Sequence, residues 1–261
     1  MKNRILQIIL SAIAAVGLSS CFDVHQVINV KADGSGTIEE TMLITIPPEF
    51  AALAGDQDPI AELLKGGQNK ERAKMMGEGV ELVSAKPFDG KEGTKGVKTI
   101  FKFADINKLK LNGDAGMSAM NPDPNAAPAK KTEEQQVRFS FDKAATKLTV
   151  KMPPMEGVDG MEDQEIDPAQ FAMASQIMKG MRVRITIKPE GKITKTNATY
   201  SDDSSVTLMD MEMKKLVGDL ETFKSFQALG KEKDRKKVAA KMKELGIKGE
   251  SKEEIDIEFK K

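Results

Sequence analysis

Apolar and polar residues alternate on both sides of a glycine-rich turn near the start of the chain. Ile28 and Val30 alternate with polar neighbours, Asp33-Gly34-Ser35-Gly36 interrupts the pattern, and the alternation resumes from Ile38 to Ile46. Alternation around a short turn of this kind predicts an antiparallel β-hairpin with one buried face. The same period of two predicts further strands at 80–83, 97–103, 137–141, 148–152, 183–187, 206–211 and 255–259.

Two turns add detail to the predicted sheet. Pro189-Glu190-Gly191-Lys192 follows the strand at 183–187, and the sequence predicts that it closes a further hairpin. The final strand is followed by Lys260 and Lys261. Because lysines at a sheet edge discourage pairing with other chains, we predict that this strand lies at an edge.

Helical periodicity separates the strands and dominates the C-terminal part. Predicted helices cover 50–64, 69–76, 167–179, 216–229 and 231–245, with Gly246 as a left-handed cap of the last. These elements predict an α+β fold. We expect an antiparallel, curled β-sheet of hairpins, with helices packed on one face and a helical C-terminal part.

Composition divides the chain into five parts. Residues 112–132 are rich in Gly, Ala, Pro, Asn and Asp, which predicts a flexible linker or loop. Around it we predict a signal peptide at 1–20, two hairpin-and-helix parts of one sheet domain at 21–111 and 133–211, and C-terminal helices with the terminal edge strand at 212–261.

The first twenty residues have the layout of a secretory signal. Lys2 and Arg4 form a basic start, and the apolar run from Ile5 to Val16 is too short to span a bilayer core of about 30 Å as a helix. Leu18, Ser19 and Ser20 then precede Cys21, the only cysteine, in the pattern of a bacterial lipobox. A lone cysteine in an exported chain cannot form an internal disulfide. We therefore predict cleavage before Cys21 and acylation of its thiol, with palmitate as a typical chain.

The charge balance argues against nucleic acid as a partner. The chain has 40 basic and 40 acidic side chains, and without residues 1–20, which include Lys2 and Arg4, 38 basic ones remain. No basic field is left to attract a polyanion. Phe22, rather than an aspartate, follows Cys21. In a cell with two membranes this favours transport to the outer membrane.

Three methionines are the candidate binding residues of the folded part. Met209, Met211 and Met213 recur at two-residue spacing, which on a strand would place all three on one face. Three interpretations remain open: a soft copper(I) site, the lining of an apolar cavity, and ordinary core packing. His25, the only histidine, is predicted to be a surface residue of a strand.

The sequence lacks the motifs of common catalytic sites. It contains neither G-x-S-x-G nor a phosphate-binding glycine loop, and its single cysteine and single histidine do not form a nucleophile pair. We therefore expect no enzymatic activity, no cofactor and, apart from the copper(I) alternative at the three methionines, no metal site.

Two segments together resemble the LppM-type bacterial lipoprotein domain family. They are the lipobox with CFDVHQVINV, DGSG and TIEETMLI directly after it, and the late RVRITIKPEGKITKTNATYSDDSSVTL. The resemblance implies a sheet curled against a helix, with an apolar interior suited to a lipid. We expect a membrane-anchored, non-enzymatic lipoprotein that binds a lipid-like or other amphipathic ligand. The alternative is a structural or interaction lipoprotein that docks an envelope protein through its sheet edge or C-terminal helices.

Overall fold

The fold is described from a computed structural model of the 261-residue chain. The structure describes residues 21–45, 66–90, 94–112, 136–153 and 178–261 without 230, 231 and 233, and also residues 168, 171, 172 and 175. The predicted signal peptide and lipobox, the helix at 50–64 and nearly all of the 112–132 linker lie outside these residues.

Twelve strands and four helices make up the described part of the chain. The strands are β1 (Cys21–Val30), β2 (Gly36–Thr45), β3 (Glu81–Asp89), β4 (Lys95–Phe103), β5 (Lys110–Asn112), β6 (Gln136–Asp142), β7 (Lys147–Lys151), β8 (Arg182–Pro189), β9 (Lys192–Thr196), β10 (Val206–Glu212), β11 (Lys248–Gly249) and β12 (Glu254–Lys260). The helices are α1 (Gly66–Met76), α2 (Met213–Leu216), α3 (Leu220–Leu229) and α4 (Arg235–Glu244), and a short 3-10 helix spans Ile106–Lys108.

The strands form two sheets. The seven-stranded sheet has the order β11-β10-β8-β1-β2-β4-β3, and the five-stranded sheet has the order β5-β6-β7-β12-β9. Neighbouring strands are antiparallel except for β1 and β8, which are parallel. The predicted α+β class with mainly antiparallel pairing is confirmed, although the strands divide between two sheets instead of forming one.

One face of the seven-stranded sheet, the inner face, packs against the five-stranded sheet. Ile28 and Ile38 from the first sheet share a core with Leu148, Ile255 and Ile257 from the second, and all five side chains are fully buried. The alternation that marked these strands in the sequence is therefore the alternation between a buried and a solvated face. Burial of each such side chain contributes about 1.5–3 kcal/mol.

A second core lies under the C-terminal helices. Met211 and Met213 pack with Leu216, Phe223 and Val238, and Met209 contacts both cores. Met209 and Met211 are paired with Ile185 and Val183 of β8, so their side chains share the inner face. α1 lies on this face too, since Arg72 binds Glu40 and Ala73 is part of the first core. The described helices thus pack on one face, as predicted.

The turn after β8 joins the two sheets and does not close a hairpin. β8 pairs with β1 and β10, whereas β9 pairs with β12. Both edges of β8 are occupied, so no edge remains for β9. Gly191 has φ +91°, which redirects the chain, and a Cβ at this position would lie 2.3 Å from the carbonyl oxygen of Lys260.

The prediction that the last strand is an edge strand is wrong. β12 lies between β7 and β9 and pairs with both. Lys260 is exposed because it is at the end of the strand, where the sheet meets solvent. Terminal lysines therefore marked the end of a strand and not the edge of a sheet.

The predicted helix at 216–229 is interrupted. α2 ends at Leu216 and α3 begins at Leu220. The Asp219 carboxylate accepts hydrogen bonds from Thr222 N and Thr222 Oγ1, both at 2.8 Å, and so caps the new helix. The last helix starts after Asp234, which caps it in the same way, and Gly246 has φ +71° as expected of a left-handed cap.

The described helices include none with the length and apolar character needed to cross a membrane.

Candidate functional site

Five residues form a row across the inner face of the seven-stranded sheet. They are paired in register from β4 to β10: Thr99, Glu40, Gln26, Ile185 and Met209, which we call the polar row. Thr99, Glu40 and Gln26 are buried polar residues. Buried polar side chains are uncommon in a sheet face that packs against a core, and they require hydrogen-bond partners.

Glu40 is held by two donors. Gln26 Nε2 donates to Glu40 Oε1 at 2.9 Å, and a guanidinium NH2 of Arg72 on α1 donates to Glu40 Oε2. The same guanidinium lies over the ring of Phe101, with 5.7 Å from Arg72 Cζ to the ring centroid. Its other terminal nitrogen donates to Asn69 Oδ1 at 3.2 Å. The carboxylate charge is therefore balanced by a nearby cation, and the network ties α1 to β1 and β2.

The orientation of the Gln26 amide follows from this network. A carboxylate can only accept hydrogen bonds, so the NH2 group of Gln26 must face Glu40. The carbonyl oxygen Oε1 is then turned away, and it is buried without a hydrogen bond to any described residue. Gln26 itself is only 3% exposed. An unsatisfied buried acceptor of this kind costs about 1–3 kcal/mol.

A cavity lies next to Gln26, between the two sheets. Its volume is about 20 Å³, which is enough for a single water molecule. Among the described residues that line it, Gln26 is the only polar one. The others come from both sheets: Ile185, Leu208 and Met209 from the seven-stranded sheet, and Leu111, Val137 and Met152 from the five-stranded sheet side.

A β-bulge shapes one wall of this cavity. The pairing of β10 with β8 shifts between Thr207 and Met209, so Leu208 is an extra residue on its strand. Leu208 and Met209 consequently both line the cavity although they are adjacent in sequence. Leu208 is buried, whereas Met209 and Met152 are half-buried, so this side of the cavity is the one closest to solvent.

The structure separates the three candidate methionines. Met209 lines the cavity, while Met211 and Met213 are buried in the core under the C-terminal helices. Met213 is not on the strand, because β10 ends at Glu212 and α2 begins at the next residue. The expected stripe of three sulfurs on one strand face is therefore wrong. Of the three interpretations given above, the lining of an apolar cavity fits Met209, and ordinary core packing fits Met211 and Met213.

His25 is less exposed than the sequence suggested. It lies on the outer face of β1 and is half-buried, with Nε2 3.3 Å from Thr186 Oγ1. Burial, and then the nearby Arg184 guanidinium, lower the pKa of His25 below its usual value. His25 is thus on the outer face of a strand, as predicted, and its neighbours on this central strand cover part of its side chain.

Ion pairs surround His25 on the same outer face. Arg184 binds both carboxylate oxygens of Asp23 at 3.2 Å, and Arg182 binds Asp210 through two hydrogen bonds of 2.8 and 2.9 Å. Burial would raise the pKa of Asp210, but the hydrogen bonding to Arg182 and the charges of Arg182, Arg184 and Lys248 together outweigh it, so the pKa is lowered. This face is therefore ionic, whereas the inner face is apolar apart from the polar row.

Cys21 is the first residue of β1 and is paired with Thr45. Leu18, Ser19 and Ser20 lie outside the described residues. In the described ranges, no three histidine, cysteine, aspartate or glutamate side chains form a group that could hold a metal ion.

The residues of the polar row were missed at the sequence level. Gln26 and Glu40 stand at inward positions of the first predicted hairpin, in phase with Ile28 and Ile38. A polar residue in phase with the apolar positions of a strand was the available signal. The contribution of Arg72 could not be foreseen, because nothing in its own segment indicates which strand it contacts.

Comparisons with known proteins find similarity among solved structures only. No family model matches the chain, and no curated protein matches it. Among solved structures, the chain matches the NMR structure of the folded domain of the Mycobacterium tuberculosis LppM protein, with a TM-score of 0.35 and 10% identity over 92% of this chain and 91% of that one. A TM-score this low establishes neither a shared fold nor a shared function.

Proposed function

We propose that this protein is a lipid-anchored lipoprotein of a bacterial envelope, and that its folded part is a non-enzymatic module that binds a lipid-like or other amphipathic ligand. The anchor is the acylated Cys21, exposed by cleavage after the lipobox. In a cell with two membranes the proposed location is the outer membrane. The ligand site is the cavity between the sheets.

The anchor is supported by sequence and by the position of Cys21. Leu18, Ser19 and Ser20 provide the pattern before the only cysteine of the chain. Cys21 begins β1, a central strand of the seven-stranded sheet. An acylated Cys21 would therefore hold the sheet directly at the membrane surface, without an intervening linker. Stable anchoring generally takes more than one lipid chain.

The observation that carries the ligand site is the unsatisfied Gln26 carbonyl beside an otherwise apolar cavity. Ligand sites are typically apolar with a few placed polar groups. Here the cavity is small, and two of its walls are the flexible side chains of Met152 and Met209. Methionine side chains adapt readily to different occupants.

The anchor is tested by labelling. Cells expressing the natural chain should incorporate labelled palmitate into it, and mass spectrometry should find an acylated N-terminal peptide that begins at Cys21. The Cys21→Ser variant should carry no label, whereas Ser20→Ala keeps a small residue before the cysteine and should be labelled normally. Equal labelling of Cys21→Ser, or an unmodified Cys21 in the natural chain, would refute the anchor.

A second candidate function is docking of an envelope protein through the sheet edge. β3 is a terminal strand of the seven-stranded sheet, and Val83 and Phe88 on it are exposed by 55% and 36%. An open edge can accept a strand of another protein. Pro87, Lys86 and the bulge at Val83 are features that protect an edge from such pairing, so ligand binding is the favoured proposal.

The two candidates differ in what a β3 variant does. If the protein docks a partner at this edge, a photo-crosslinker at Val83 should capture one defined envelope protein in living cells, and Phe88→Lys should abolish the capture. A crosslinker at Lys195 on β9, an edge strand of the other sheet, is the control. Native mass spectrometry of the detergent-extracted protein that shows a bound lipid, with no crosslink at Val83, would instead favour ligand binding.

A further inference from the structure

Gln26, which lines the cavity between the sheets, has one unused hydrogen-bond acceptor. Gln26 Oε1 has no partner among the described residues, and Glu40 fixes the amide by accepting from Nε2. By contrast Glu250, which is just as deeply buried, accepts from Thr199 N, Thr199 Oγ1 and Lys252 N. The buried carboxylate of Glu250 thus has hydrogen-bond donors within the fold, whereas the buried carbonyl oxygen of Gln26 has none among the described residues.

We propose that Gln26 Oε1 accepts a hydrogen bond from the hydroxyl group of an uncharged, aliphatic ligand. The ligand class is thus an alcohol, and the hydroxyl takes the place available to one water beside Gln26. This inference rests on the proposed ligand-binding function and specifies the chemistry of its site.

The surroundings of Gln26 select against ionised ligands. A carboxylate has no proton to donate to Gln26 Oε1, and it would lose its hydration among the apolar lining residues. An ammonium group would be surrounded by apolar lining residues and would lose its hydration. A neutral hydroxyl provides the missing donor and carries no charge that would have to be desolvated.

The apolar part of the ligand has one direction in which to extend. Leu111, Val137 and Ile185 are buried, whereas Met152 and Met209 are half-buried and border solvent. An aliphatic ligand larger than one water molecule therefore has to displace the side chains of Met152 and Met209 toward solvent. Their thioether chains have three rotatable bonds and do this more easily than a branched side chain.

Methyl-labelled methionine provides the test. The full mature chain is labelled at its methionine methyl groups and titrated with 1-hexanol, hexyl methyl ether or hexanoate while NMR spectra are recorded. The alcohol and the ether share a chain and an oxygen, but only the alcohol can donate. We expect the methyl signals of Met152 and Met209 to move most, and 1-hexanol to bind about five- to tenfold more tightly than the ether. Hexanoate should bind more weakly than either.

Two variants assign the preference to Gln26. Gln26→Leu should bind the alcohol and the ether equally. Asn29→Leu makes the same kind of change on the outer face of the same strand, so it should keep the preference. In the natural chain the side-chain amide signals of Gln26 should shift with 1-hexanol and not with the ether, a readout that does not depend on the folding of either variant.

The outcomes separate this inference from the function on which it rests. Equal affinity for 1-hexanol and the ether in the natural chain would overturn the role of Gln26 and leave ligand binding in place. Movement of neither Met152 nor Met209 with any of the three probes would overturn both.

Discussion

Two neighbouring rows on the inner face of the seven-stranded sheet differ sharply although they lie only two residues apart along each strand, or three along β10, where Leu208 is the extra residue. The first, which we call the core row, comprises Phe101, Ile38, Ile28, Ile187 and Val206, all at 0% exposure. The second is the polar row. The core row packs against the five-stranded sheet, whereas the polar row contains a hydrogen-bonded network, a cavity and an unsatisfied carbonyl.

The difference separates the rows that stabilise the fold from the row in which we propose a binding site. Another apolar row, with Val97, Val24, Val183 and Met211, lies on the far side of the polar row. The polar row is therefore not the solvated end of the sheet but an interruption within its buried face. Departures from a consistent buried pattern are expected at functional sites.

The largest effect should come from the core row. Ile28→Ala removes a fully buried side chain and leaves a cavity that the two sheets cannot close, so we expect a loss of about 2–5 kcal/mol in the free energy of unfolding. Val27→Ala, the adjacent change on the outer face, should cost less than about 1.5 kcal/mol. Urea unfolding followed by circular dichroism measures both. Similar losses for the two variants would contradict the assignment of the inner face.

An intermediate effect is expected within the polar row. Glu40→Gln removes the charge that Arg72 faces, and the half-buried guanidinium can recover only part of its hydration. We expect a loss of about 1–3 kcal/mol in the free energy of unfolding.

Glu39→Gln is the matched control. Glu39 is the next residue on β2, on the outer face, where it pairs with Lys98 at 2.7 Å and both side chains are substantially exposed. Such a surface pair contributes roughly 0–1 kcal/mol. If Glu39→Gln proved the more damaging of the two, the network around Glu40 would not be a structural part of the buried face.

A smaller effect concerns the outer face at the same level of the sheet. Because the pKa of His25 is lower in the folded protein than in the unfolded chain, the unfolded chain binds more protons near neutral pH. Stability should therefore fall as the pH decreases from about 7 to 5. Arg184 and Lys188 disfavour the charged imidazole, whereas Asp23 and Asp210 favour it.

The His25→Gln variant measures this contribution. Its unfolding midpoint in urea should decline less over the same pH range than that of the natural chain. An identical decline in both proteins would show that His25 does not sense the environment described for it. Gln26→Leu should leave the pH dependence unchanged, since its side chain lies on the opposite face.

Much of the secondary structure was predictable because it depends on local alternation. The hairpin of β1 and β2, the strands β3, β4, β6 and β7, and the cap at Gly246 follow from spacing and turn chemistry alone. The division into two sheets was not predictable. The residues of the turn at Gly191 would suit a hairpin as well as a crossing to the other sheet. The crossing occurs because β1 and β10 already occupy both edges of β8, so β9 cannot pair with it.

The candidate site was predictable only in part. The sequence singled out Met209, which lines the cavity, together with Met211 and Met213, which do not. Gln26 could have been noticed as a polar residue at an inward position of β1. Its partner Glu40 and the wall provided by Met152 depend on strand register and on sheet packing, which spacing along one strand does not determine.

The most direct measurement is the free energy of unfolding of Gln26→Leu. If Gln26 is present for binding, its replacement by leucine removes an unsatisfied carbonyl and fills the space with apolar atoms. This gain offsets the loss of the hydrogen bond that Gln26 donates to Glu40. The free energy of unfolding of the variant should therefore lie within about 1 kcal/mol of that of the natural chain. A loss above about 2 kcal/mol would mean that Gln26 supports the fold itself, and would contradict its assignment as the polar group of a ligand site.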